Sequence, residues 1–346
     1  MMPANSIEKV DHMADDVTLS PTEAIDFARA ALARVGMAEA AAAALARATV
    51  DAEMAGRRTM GLQHLTDYMR GLVDGRIAGR AEPLITSPVP AIMKCDAMGG
   101  VAQHGFSAAC EELVSKAKTF GIAVFASQNS YTAGELGWYA ARLAEEGLVA
   151  LAATNGPALL AGSGSRQPVY CTNPLAFAAP LADGRLLLVD QASSATAFVN
   201  IRAAAARGEA LPEGWALDQD GEPTTDPFAA MQGALLAFGG ARGANIALMV
   251  EVLAAGLTGA NWSLDAPDFQ AGEVTPGVGL FVLALSPTLF ADDFPARLSG
   301  QVQRLSGDYG VYVPGLERLE RRRQAESAGI VLPRQLFDSI SSFRRS

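Results

Sequence analysis

The middle of the chain carries four short apolar runs, and these constrain the fold more than any other feature. They are GIAVFAS (121–127), GLVALAAT (147–154), PLAFAAP (174–180) and RLLLVDQA (185–192), all rich in Val, Leu or Ala. Runs of this length, bounded by Gly, Pro, Asn or Asp, are typical of buried strands. A segment with helical spacing, AGELGWYAARLAEEG (133–147), lies between the first two. Strand, polar turn, helix and strand in this order predict an α/β core.

Helices are predicted on the N-terminal side of this core. The stretch SPTE (20–23) is a capping box with Pro at the first helical position, and the helix that it opens ends at Gly36. A second helix, AEAAAAALARATVDAEMAG (38–56), follows. Alanine-rich faces allow close approach but bury little area, so we expect these helices to complete their burial against a second copy of the chain.

Charge and apolar patterning exclude several classes of partner. A formal net charge of -10 argues against a nucleic-acid-binding surface, which would need Lys and Arg to neutralise phosphates. The longest apolar runs, such as GVGLFVLAL (277–285), are too short to cross a bilayer, and the stretch MMPANSIEKVDHMADD lacks the features of a signal peptide. We therefore expect a cytoplasmic protein with a small-molecule ligand and no membrane or nucleic-acid partner.

The cysteines and histidines favour neither a disulfide framework nor a metal centre. The cysteines are odd in number and widely spaced, which predicts buried free thiols. They are Cys95, Cys110 and Cys171. The histidines are His12, His64 and His104. With so few, a multi-histidine site is not expected, and we predict no metal.

Common motifs of nucleotide binding and hydrolysis are missing from the sequence. There is no G-x-G-x-x-G after a strand, no Walker loop, no G-x-S-x-G, no H-E-x-x-H and no C-x-x-C. The stretch AGSGSRQP (161–168) resembles a phosphate loop, but it lacks Lys and a following helix, so we interpret it as a turn. The basic stretch RLERRRQ (318–324) is interpreted as a solvated helix face.

Polar residues cluster where the predicted strands end. Asn129 to Thr132 lie between a strand and a helix N-terminus, where free N–H groups and small side chains can hold a ligand or simply cap the helix. The same pattern recurs at two later strand ends. It places there Thr172, Asn173, Asp190, Ser193 and Ser194.

A glycine turn with a lone arginine precedes an apolar helix in FGGARGANIALMVEVL (238–253). The glycines permit close backbone approach, and Arg242 is always charged, which favours an anion at the helix start. The alternative is a salt bridge from Arg242 to Glu251 or Asp226. Composition leaves both interpretations open.

Four long, collinear stretches carry a family resemblance. They are NSYTAGELGWYAARLAEEGLVAL (129–151), TNPLAFAAP (172–180), LPEGWALDQDGEPTTDP (211–227) and FGGARGANIALMVEVLAAGLTGA (238–260). With them the chain, from about Asp51 to VYVPGLERLERRR (311–323), resembles the malate/L-lactate dehydrogenase-like oxidoreductases, which lack the Rossmann fold. Within that family it is similar to the branch that reduces Δ1-piperideine-2-carboxylate and Δ1-pyrroline-2-carboxylate.

The resemblance implies an α/β fold of the non-Rossmann type, with a cofactor-binding core and helical N- and C-terminal segments. It also implies a homodimer whose active sites lie near the subunit interface, and an NADH- or NADPH-dependent enzyme for 2-keto acids, 2-hydroxy acids or cyclic imino acids. We therefore assign residues 121–290 to a nicotinamide-cofactor-binding domain. Residues 1–120 and 291–346 are assigned to a helical part that serves substrate binding and dimerisation.

The resemblance also gives the glycine turn a role. Members of the family carry a basic residue there, usually Lys, that lies at the cofactor, and Arg242 looks like its counterpart. Together with the polar strand ends, this predicts a nicotinamide nucleotide site of nine residues. They are Ser130, Thr132, Thr172, Asn173, Asp190, Ser193, Gly240, Arg242 and Gly243.

The chain departs from the family pattern in TMGLQH (59–64). Met60 occupies the place of the usual catalytic histidine, and His64 that of the arginine that holds the substrate carboxylate. Thr132 replaces a second histidine. The catalytic candidates are therefore Thr59, Met60, His64 and Asp190. The candidates for the carboxylate contact are Arg57, Arg58 and His64.

Loss of the usual histidine favours an imine as substrate. A ketone that accepts hydride becomes an alkoxide and needs a positioned proton donor, which contributes about 10²–10⁴-fold in rate. The nitrogen of a cyclic imine can already be protonated when hydride arrives. We therefore predict that NADPH or NADH reduces Δ1-pyrroline-2-carboxylate or Δ1-piperideine-2-carboxylate to L-proline or L-pipecolate.

Two alternatives stay open. Histidine side chains titrate near neutrality, so His64 can serve as a displaced acid, which would suit a 2-hydroxy-acid dehydrogenase of the malate or L-lactate type. If nothing replaces the lost histidine and arginine, the chain would instead be a catalytically weak, nucleotide-binding member of the family.

Overall fold

The computed structural model describes residues 16–344. Its helices are α1 (Pro21–Arg34), α2 (Glu39–Met54), α3 (Leu62–Val73), α4 (Ala102–Phe120), α5 (Leu136–Glu145), α6 (Phe198–Arg207), α7 (Pro227–Ala230), α8 (Ala241–Glu251), α9 (Phe294–Asp308), α10 (Arg318–Ala328) and α11 (Arg334–Ser342). Its strands are β1 (Val17–Leu19), β2 (Leu84–Val89), β3 (Ile92–Asp96), β4 (Ile122–Ser130), β5 (Val149–Thr154), β6 (Leu160–Ala161), β7 (Pro168–Tyr170), β8 (Leu175–Pro180), β9 (Leu186–Gln191), β10 (Ala216–Leu217), β11 (Pro223–Thr224), β12 (Ala234–Leu235), β13 (Val278–Leu285) and β14 (Ile330–Leu332). Short helical turns lie at Arg58–Met60, Val252–Gly256 and Pro287–Leu289. His12 and nearly all of the stretch inspected for a signal peptide lie outside the described residues.

The four apolar runs become strands of a seven-stranded mixed sheet, as predicted. The strand order is β2-β3-β4-β13-β5-β8-β9, and the runs supply β4, β5, β8 and β9. Only the β3–β4 pair within this sheet is parallel. The longest apolar run supplies β13, which pairs with β4 on one side and β5 on the other. The predicted helix between the first two runs is α5. These elements confirm the α/β core.

Helices cover both faces of the large sheet, because alternate side chains of β13 enter two different cores. On one face, α4 and α5 bury an aromatic cluster. There the Phe106 ring lies edge to face with Trp138 and Tyr139, at centroid distances of 5.6 and 4.9 Å. On the other face, α8 and the turn that follows it pack on β13. Gly279 allows this approach, since a Cβ there would lie 1.6 Å from the Ala254 carbonyl oxygen.

The two ends of the chain meet in a helical part. The predicted capping box opens α1, with the Ser20 N–H donating to the Glu23 carboxylate at 2.8 Å and the Glu23 N–H donating to Ser20 Oγ at 3.3 Å. Alanine faces of α1 and α2 pack together in one core. β1 pairs with β14, and the Phe27 ring stacks on Phe337 at 4.7 Å. The helical N- and C-terminal segments are thereby joined.

Several strands are absent from the sequence prediction. β2 and β3 extend the large sheet from within the segment 1–120, where helices were expected. β2 is an edge strand that contains Pro88, and its mixed polarity hides the alternation of a strand. A second sheet, in the order β11-β10-β12-β6-β7, consists of strands of two or three residues, which are too short to show a pattern. α6 and α7 pack on this small sheet.

Two further interpretations of the sequence meet different outcomes. The stretch 161–168 is a turn, as predicted, because it connects β6 to β7. The basic stretch is only partly a solvated face of α10, because Arg318 is buried and pairs with Glu135 at 3.0 Å. Arg322 reaches Glu145 at the other end of α5 at 2.7 Å. α10 therefore docks along α5, and this contact buries the first arginine of the stretch.

The cysteines are free thiols, as predicted, but they differ in exposure. Cys95 and Cys110 are buried, and Cys171 is partly exposed. Burial raises the pKa of the Cys95 thiol to about 11, which keeps it protonated.

Within residues 16–344, no helix has the length and apolar character needed to span a bilayer.

Candidate active site

A cleft of about 720 Å³ lies between the start of α3, the helix α6 and loops beside the small sheet. It brings Thr59, Met60 and His64 together with Thr172, which is distant from them in the sequence. Its other lining residues are Gln63, Thr66, Asp67, Pro157, Ala158, Leu159, Cys171, Ala192, Ala197, Phe198, Val199, Arg202, Met231, Asp268, Phe269 and Gln270. Three of the four predicted catalytic residues therefore share one cavity.

A buried carboxylate holds the turn that carries Thr59 and Met60. The turn Arg58–Met60 leads through Gly61 into α3, where Glu53 Oε2 accepts a hydrogen bond of 2.9 Å from the Leu62 N–H. Burial raises the pKa of Glu53, against the opposing effects of the Leu62 N–H and Arg58. A Cβ at Gly61 would lie 2.2 Å from Glu53 Oε2 and 3.1 Å from the Glu53 Cα, so a side chain there would displace this carboxylate. Glu53 thus fixes the backbone beneath the cleft.

His64 is oriented by its neighbours on α3. Its Nδ1 lies 2.8 Å from Asp67 Oδ2, and its ring lies edge to face with Tyr68 at 4.8 Å. Tyr68 is itself fixed, because its hydroxyl accepts hydrogen bonds from Thr132 Oγ1 at 3.1 Å and Gln103 Nε2 at 3.2 Å. The contact with Asp67 leaves Nε2 as the ring nitrogen available to a ligand.

Thr132, a predicted cofactor residue, therefore supports the aromatic residue beside His64.

Asp67 is ionised in this arrangement. Burial raises its pKa, but the hydrogen bond and charge of His64, and the charges of Arg202 and Arg70, lower it by more.

Asp190 lies behind the cleft rather than in its lining. It is in β9, shortly before Ala192, which does line the cleft. Its Oδ2 accepts a hydrogen bond of 2.8 Å from the Gly137 N–H at the start of α5. Burial raises the pKa of Asp190 to about 6; the Glu135 charge adds to this rise, while the Gly137 N–H and two nearby arginines, Arg57 and Arg318, oppose it. Asp190 can therefore carry a proton under mildly acidic conditions.

The glycine turn leaves an open site at the start of α8. Gly239 and Gly240 have φ angles of +58° and +63°, and a Cβ at either would meet nothing within 4 Å. The N–H groups of Ala241 and Arg242 donate to no acceptor within residues 16–344. Gly243 differs, because its Cβ would lie 2.2 Å from the Phe238 carbonyl oxygen, so it is needed for packing.

Arg242 is exposed and forms no ion pair within the described part of the chain. The two carboxylates considered as its partners are engaged elsewhere. Glu251 is buried and accepts hydrogen bonds from Asn173 Nδ2 at 2.7 Å and the Ser263 hydroxyl at 2.8 Å. Asp226 caps α7. The guanidinium of Arg242 is therefore available to a ligand.

The remaining predicted cofactor residues divide into two groups. Thr172 lines the cleft, and the buried Ser130 hydroxyl, at the end of β4, has no hydrogen-bond partner within residues 16–344. Asn173 and Ser193 face the interior instead. Asn173 Nδ2 donates to the Ala247 carbonyl at 2.8 Å, and Ser193 Oγ donates to the Asn173 carbonyl at 2.8 Å. Asn173 thereby joins its strand end to α8, and Ser193 holds the backbone of Asn173.

The predicted carboxylate contacts do not lie together. His64 lines the cleft, but Arg57 and Arg58 do not. Arg57 lines a separate cavity of about 140 Å³. The Arg58 side chain is 74% exposed and lies 3.8 Å from Glu53. The loop that carries both arginines turns them away from the cleft while Thr59 and Met60 enter it.

A group of arginines beside the cleft is missing from the sequence prediction. Arg70, Arg76 and Arg202 line an adjoining cavity of about 270 Å³, which we call the arginine pocket. The sequence does indicate one of these arginines, Arg70, because His64, Asp67 and Arg70 are spaced by three residues and share a face of α3. Arg202 carries no such signal, since only the tertiary fold brings α6 to this place.

Within residues 16–344, no group of three or more His, Cys, Asp and Glu side chains is arranged to hold a metal ion.

Comparison with known proteins places these features in a family. The family model for malate/L-lactate dehydrogenase matches residues 19–341. A (2R)-3-sulfolactate dehydrogenase (NADP(+)) of Chromohalobacter salexigens is 36% identical over 94% of this chain and 97% of its own. A Δ1-pyrroline-2-carboxylate/Δ1-piperideine-2-carboxylate reductase of Pseudomonas putida is 37% identical over 92% of this chain and 94% of its own.

The fold agrees with these sequence relatives. The crystal structure of a Δ1-piperideine-2-carboxylate reductase from Pseudomonas syringae pv. tomato superposes with a TM-score of 0.89 and 34% identity, over 94% of this chain and 98% of that one. The family model and these relatives each span nearly the whole of this chain. The prediction of a nicotinamide-dependent oxidoreductase with a non-Rossmann α/β fold is thereby confirmed, and the chain belongs to the malate/L-lactate dehydrogenase family.

Proposed function

We propose that this chain is an NAD(P)H-dependent reductase of a small 2-carboxylate substrate, and that the substrate is a cyclic imino acid. The products would be L-proline from Δ1-pyrroline-2-carboxylate and L-pipecolate from Δ1-piperideine-2-carboxylate. The Pseudomonas relatives that carry these activities in their names support the substrate class. The observation that carries the choice of an imine is Met60, which lines the cleft in the place of a proton donor.

The start of α8 has the features that a phosphate of a nicotinamide nucleotide needs. Open glycines, two free N–H groups and the exposed Arg242 converge there, and a helix N-terminus favours an anion. Thr172 would hold the part of the nucleotide that enters the cleft. When bound, the dihydronicotinamide supplies the hydride. The name of the Chromohalobacter relative favours NADPH over NADH.

The proton requirements of the two reactions explain why Met60 favours an imine over a ketone. Reduction of a ketone leaves an alkoxide that must take a proton in the same step, and the thioether of Met60 has none to give. A protonated cyclic imine accepts hydride at C2 and becomes a neutral amine with no further proton. The chain then needs to position the ring and exclude water, which the apolar residues Pro157, Ala158 and Leu159 can do.

The substrate carboxylate needs a cation or N–H donors in the cleft. His64 is the predicted contact that lies there, with its ring oriented by Asp67. Arg202 lines the same cleft and adds a charge that sequence reasoning missed. Arg57 and Arg58 are less favoured, because they lie outside the lining. Asp190 stays a candidate for proton exchange from its place behind Ala192.

A 2-hydroxy-acid dehydrogenase is the second candidate, and the His64–Asp67 contact favours it. A histidine hydrogen-bonded to a carboxylate through Nδ1 can deliver a proton from Nε2 to an alkoxide. The sulfolactate dehydrogenase among the relatives has this type of chemistry in its name. In this case His64→Ala would abolish turnover.

We further propose that the protein works as a cytoplasmic homodimer. The free thiols fit a reducing compartment. Exposed apolar side chains along α8 and the following turn offer a surface for a second copy, and they include Leu248, Met249, Val252 and Leu257.

The test of the proposed function is an assay of NADPH and NADH oxidation across a panel of substrates. The panel contains Δ1-pyrroline-2-carboxylate, Δ1-piperideine-2-carboxylate, pyruvate, oxaloacetate and 2,3-diketo acids. Reduction of the imines supports the proposal. Reduction of keto acids without imine activity would restore the second candidate. Nucleotide binding without any turnover would make the chain a catalytically weak member of the family.

A further inference from the structure

A long loop, residues 261–277, borders the cleft and contains neither a helix nor a strand. It leads into β13, and its residues Asp268, Phe269 and Gln270 line the cleft. Loops of this length in a compact fold usually have a function. Phe269 is the large apolar residue that this loop contributes to the lining, and it is therefore the part of the loop suited to contact an apolar portion of a ligand.

The two ends of the loop are fixed to the fold more firmly than its later part. The Asn261 N–H donates to the Gly277 carbonyl at 3.1 Å, which closes the base of the loop. The N–H and the hydroxyl of Ser263 donate to the Glu251 carboxylate at 2.6 and 2.8 Å. The backbone of residues 271–274, by contrast, forms no hydrogen bond with other backbone groups in the described part of the chain. The position of the middle of the loop therefore depends on few contacts.

The Phe269 carbonyl oxygen holds the middle of the loop, because it accepts hydrogen bonds from two buried donors. One is the guanidinium of Arg76, whose side chain is 1% exposed, and the other is the Tyr131 hydroxyl at 2.6 Å. Asp74 pairs with Arg76 and balances its charge. Burial raises the pKa of Tyr131, so its hydroxyl keeps the proton that it donates. A carbonyl oxygen has two lone pairs, and both are used here.

The fold makes room for both donors at a cost in free energy. A Cβ at Gly71, within α3, would lie 3.2 Å from Tyr131 Cζ, so glycine allows this ring to approach the helix. Glycine in a helix interior costs about 1 kcal/mol relative to alanine. A buried arginine is also unfavourable unless its charge and donors are used. Both costs occur at residues that serve the hydrogen bonds to the Phe269 carbonyl.

We propose that Phe269 is a specificity-determining residue, and that Arg76 and Tyr131 are positioning residues that act through its carbonyl. The Phe269 side chain packs partly on the helical core that contains Tyr131, so it has a firm support behind it. From there it limits the space for the methylene groups of the substrate ring. The inference rests on the proposed function and deepens it, because it assigns the discrimination between five- and six-membered rings to this loop.

The test compares Δ1-pyrroline-2-carboxylate with Δ1-piperideine-2-carboxylate, which differ by one methylene group. A methylene in an apolar pocket changes kcat/KM by about tenfold or more. Phe269→Leu should raise the ratio of kcat/KM for the six-membered imine to that for the five-membered imine by about tenfold, because the smaller side chain leaves room for the additional methylene. A ratio that stays the same or falls would overturn the specificity role.

Val274→Ala is the matched control for Phe269→Leu. Val274 lies on the same loop, is exposed and lines neither the cleft nor the arginine pocket. This variant should keep the wild-type ratio. A rise in the ratio equal to that of Phe269→Leu would overturn the assignment to Phe269, because any change in the loop would then have the same effect.

Tyr131→Phe tests the positioning role. It removes one hydrogen bond to the Phe269 carbonyl and keeps the aromatic ring. We expect faster amide hydrogen exchange in residues 264–276 and a rise in the ratio of the two imines, in the same direction as in Phe269→Leu. Arg76→Met should act likewise, and Arg76→Lys, which keeps a donor, should have a smaller effect. Faster exchange with an unchanged ratio would overturn the positioning role, because the contacts would then serve stability alone.

Tyr139→Phe is the control for the loss of a buried tyrosine hydroxyl. Tyr139 is fully buried, and its hydroxyl donates to the Ala133 carbonyl at 2.8 Å, away from the 261–277 loop. This variant should leave both the ratio and the exchange of the loop amides unchanged. The same changes as in Tyr131→Phe would overturn the role of the Phe269 carbonyl.

A binding measurement separates this inference from the proposed function. Pyrrole-2-carboxylate and picolinate are planar five- and six-membered analogues that this reaction does not reduce. In calorimetry with NADP+ present, Phe269→Leu should shift the relative affinity toward picolinate by about tenfold, even if no imine is turned over. An unchanged relative affinity, or no binding of either analogue to the wild type, would overturn the inference. Absence of imine turnover alone would overturn only the proposed function.

Discussion

Met60 is the residue on which the proposed choice of substrate depends. It lies on a turn that Glu53 holds from below, and its thioether has no proton to give. The same lining holds the titratable side chain of His64, which is oriented by its contact with Asp67. This combination suits a substrate that brings its own proton, and it leaves His64 free to contact the carboxylate.

Asp190 gives a prediction for the pH dependence of stability. Its pKa is about 6 in the folded chain and near the ordinary 3.8 when unfolded, so the folded state binds its proton more tightly. Stability from this group is therefore present below about pH 4 and is lost as the pH rises to 6. Asp190→Asn should remove that loss and gain at most about 3 kcal/mol in free energy of unfolding at pH 8 relative to the wild type.

Urea denaturation at pH 5 and pH 8 checks the Asp190 prediction. The difference between Asp190→Asn and the wild type should be larger at pH 8. Asp183→Asn is the control, because Asp183 is exposed and its hydrogen bonds with Arg185 lower its pKa. That variant should leave the fall in stability between pH 5 and pH 8 in place. An Asp190→Asn curve parallel to that of the wild type would contradict the assigned pKa.

Among the elements, α8 has one end that is packed and one that is open. Its body is fixed by Asn173 and by β13, whereas its first turn is open at Gly239 and Gly240. We predict that Arg242→Ala weakens NADPH binding by about tenfold, the value of one charge-assisted contact. Calorimetry measures the affinity. Arg323→Ala, a change on the exposed part of α10, should leave it unchanged, and equal affinities for all three proteins would remove the cofactor role of the glycine turn.

The elements differ in how far the sequence predicts them. Elements with long sequence patterns are predicted correctly, because such patterns specify structure locally. These elements are β4, β5, β8 and β9, with their apolar runs, and α1, with its capping box. The small sheet is not predicted from the sequence, because strands of two or three residues have no period to detect. The interpretation of the basic stretch of α10 as a solvated face is wrong at Arg318, since the burial of this residue depends on Glu135 from a distant part of the chain.

The site follows the same division between local and tertiary signals. Thr59, Met60 and His64 could be chosen because they form one short motif. Arg202 and Arg76 could not, since α6 and the segment after α3 meet only in the folded chain. Polar strand ends do not by themselves distinguish ligand contacts from structural ones, because a buried side chain such as Asn173 can hydrogen-bond to the backbone of its own fold.

On the scale of the whole molecule, a second copy is expected to cover part of the surface. The apolar faces of α1 and α2 are already buried within the chain, contrary to the expectation from the sequence, whereas Met249 in α8 and Leu257 after the turn that follows it are 59% and 60% exposed. We predict a homodimer at micromolar concentration. Size-exclusion chromatography with light scattering should give twice the mass of the 36.0 kDa chain. A stable monomer under these conditions would contradict the dimer.

The central claim is that the cleft reduces an imine because Met60 cannot supply a proton. The most direct test is the ratio of kcat/KM for Δ1-piperideine-2-carboxylate to that for pyruvate, measured with NADPH in the wild type, Met60→His and the control Met60→Leu. We predict a wild-type ratio of about 10² or more, kept in Met60→Leu and lowered in Met60→His through faster reduction of pyruvate. A wild type that reduces pyruvate as well as the imine, with a ratio that Met60→His does not change, would contradict the claim.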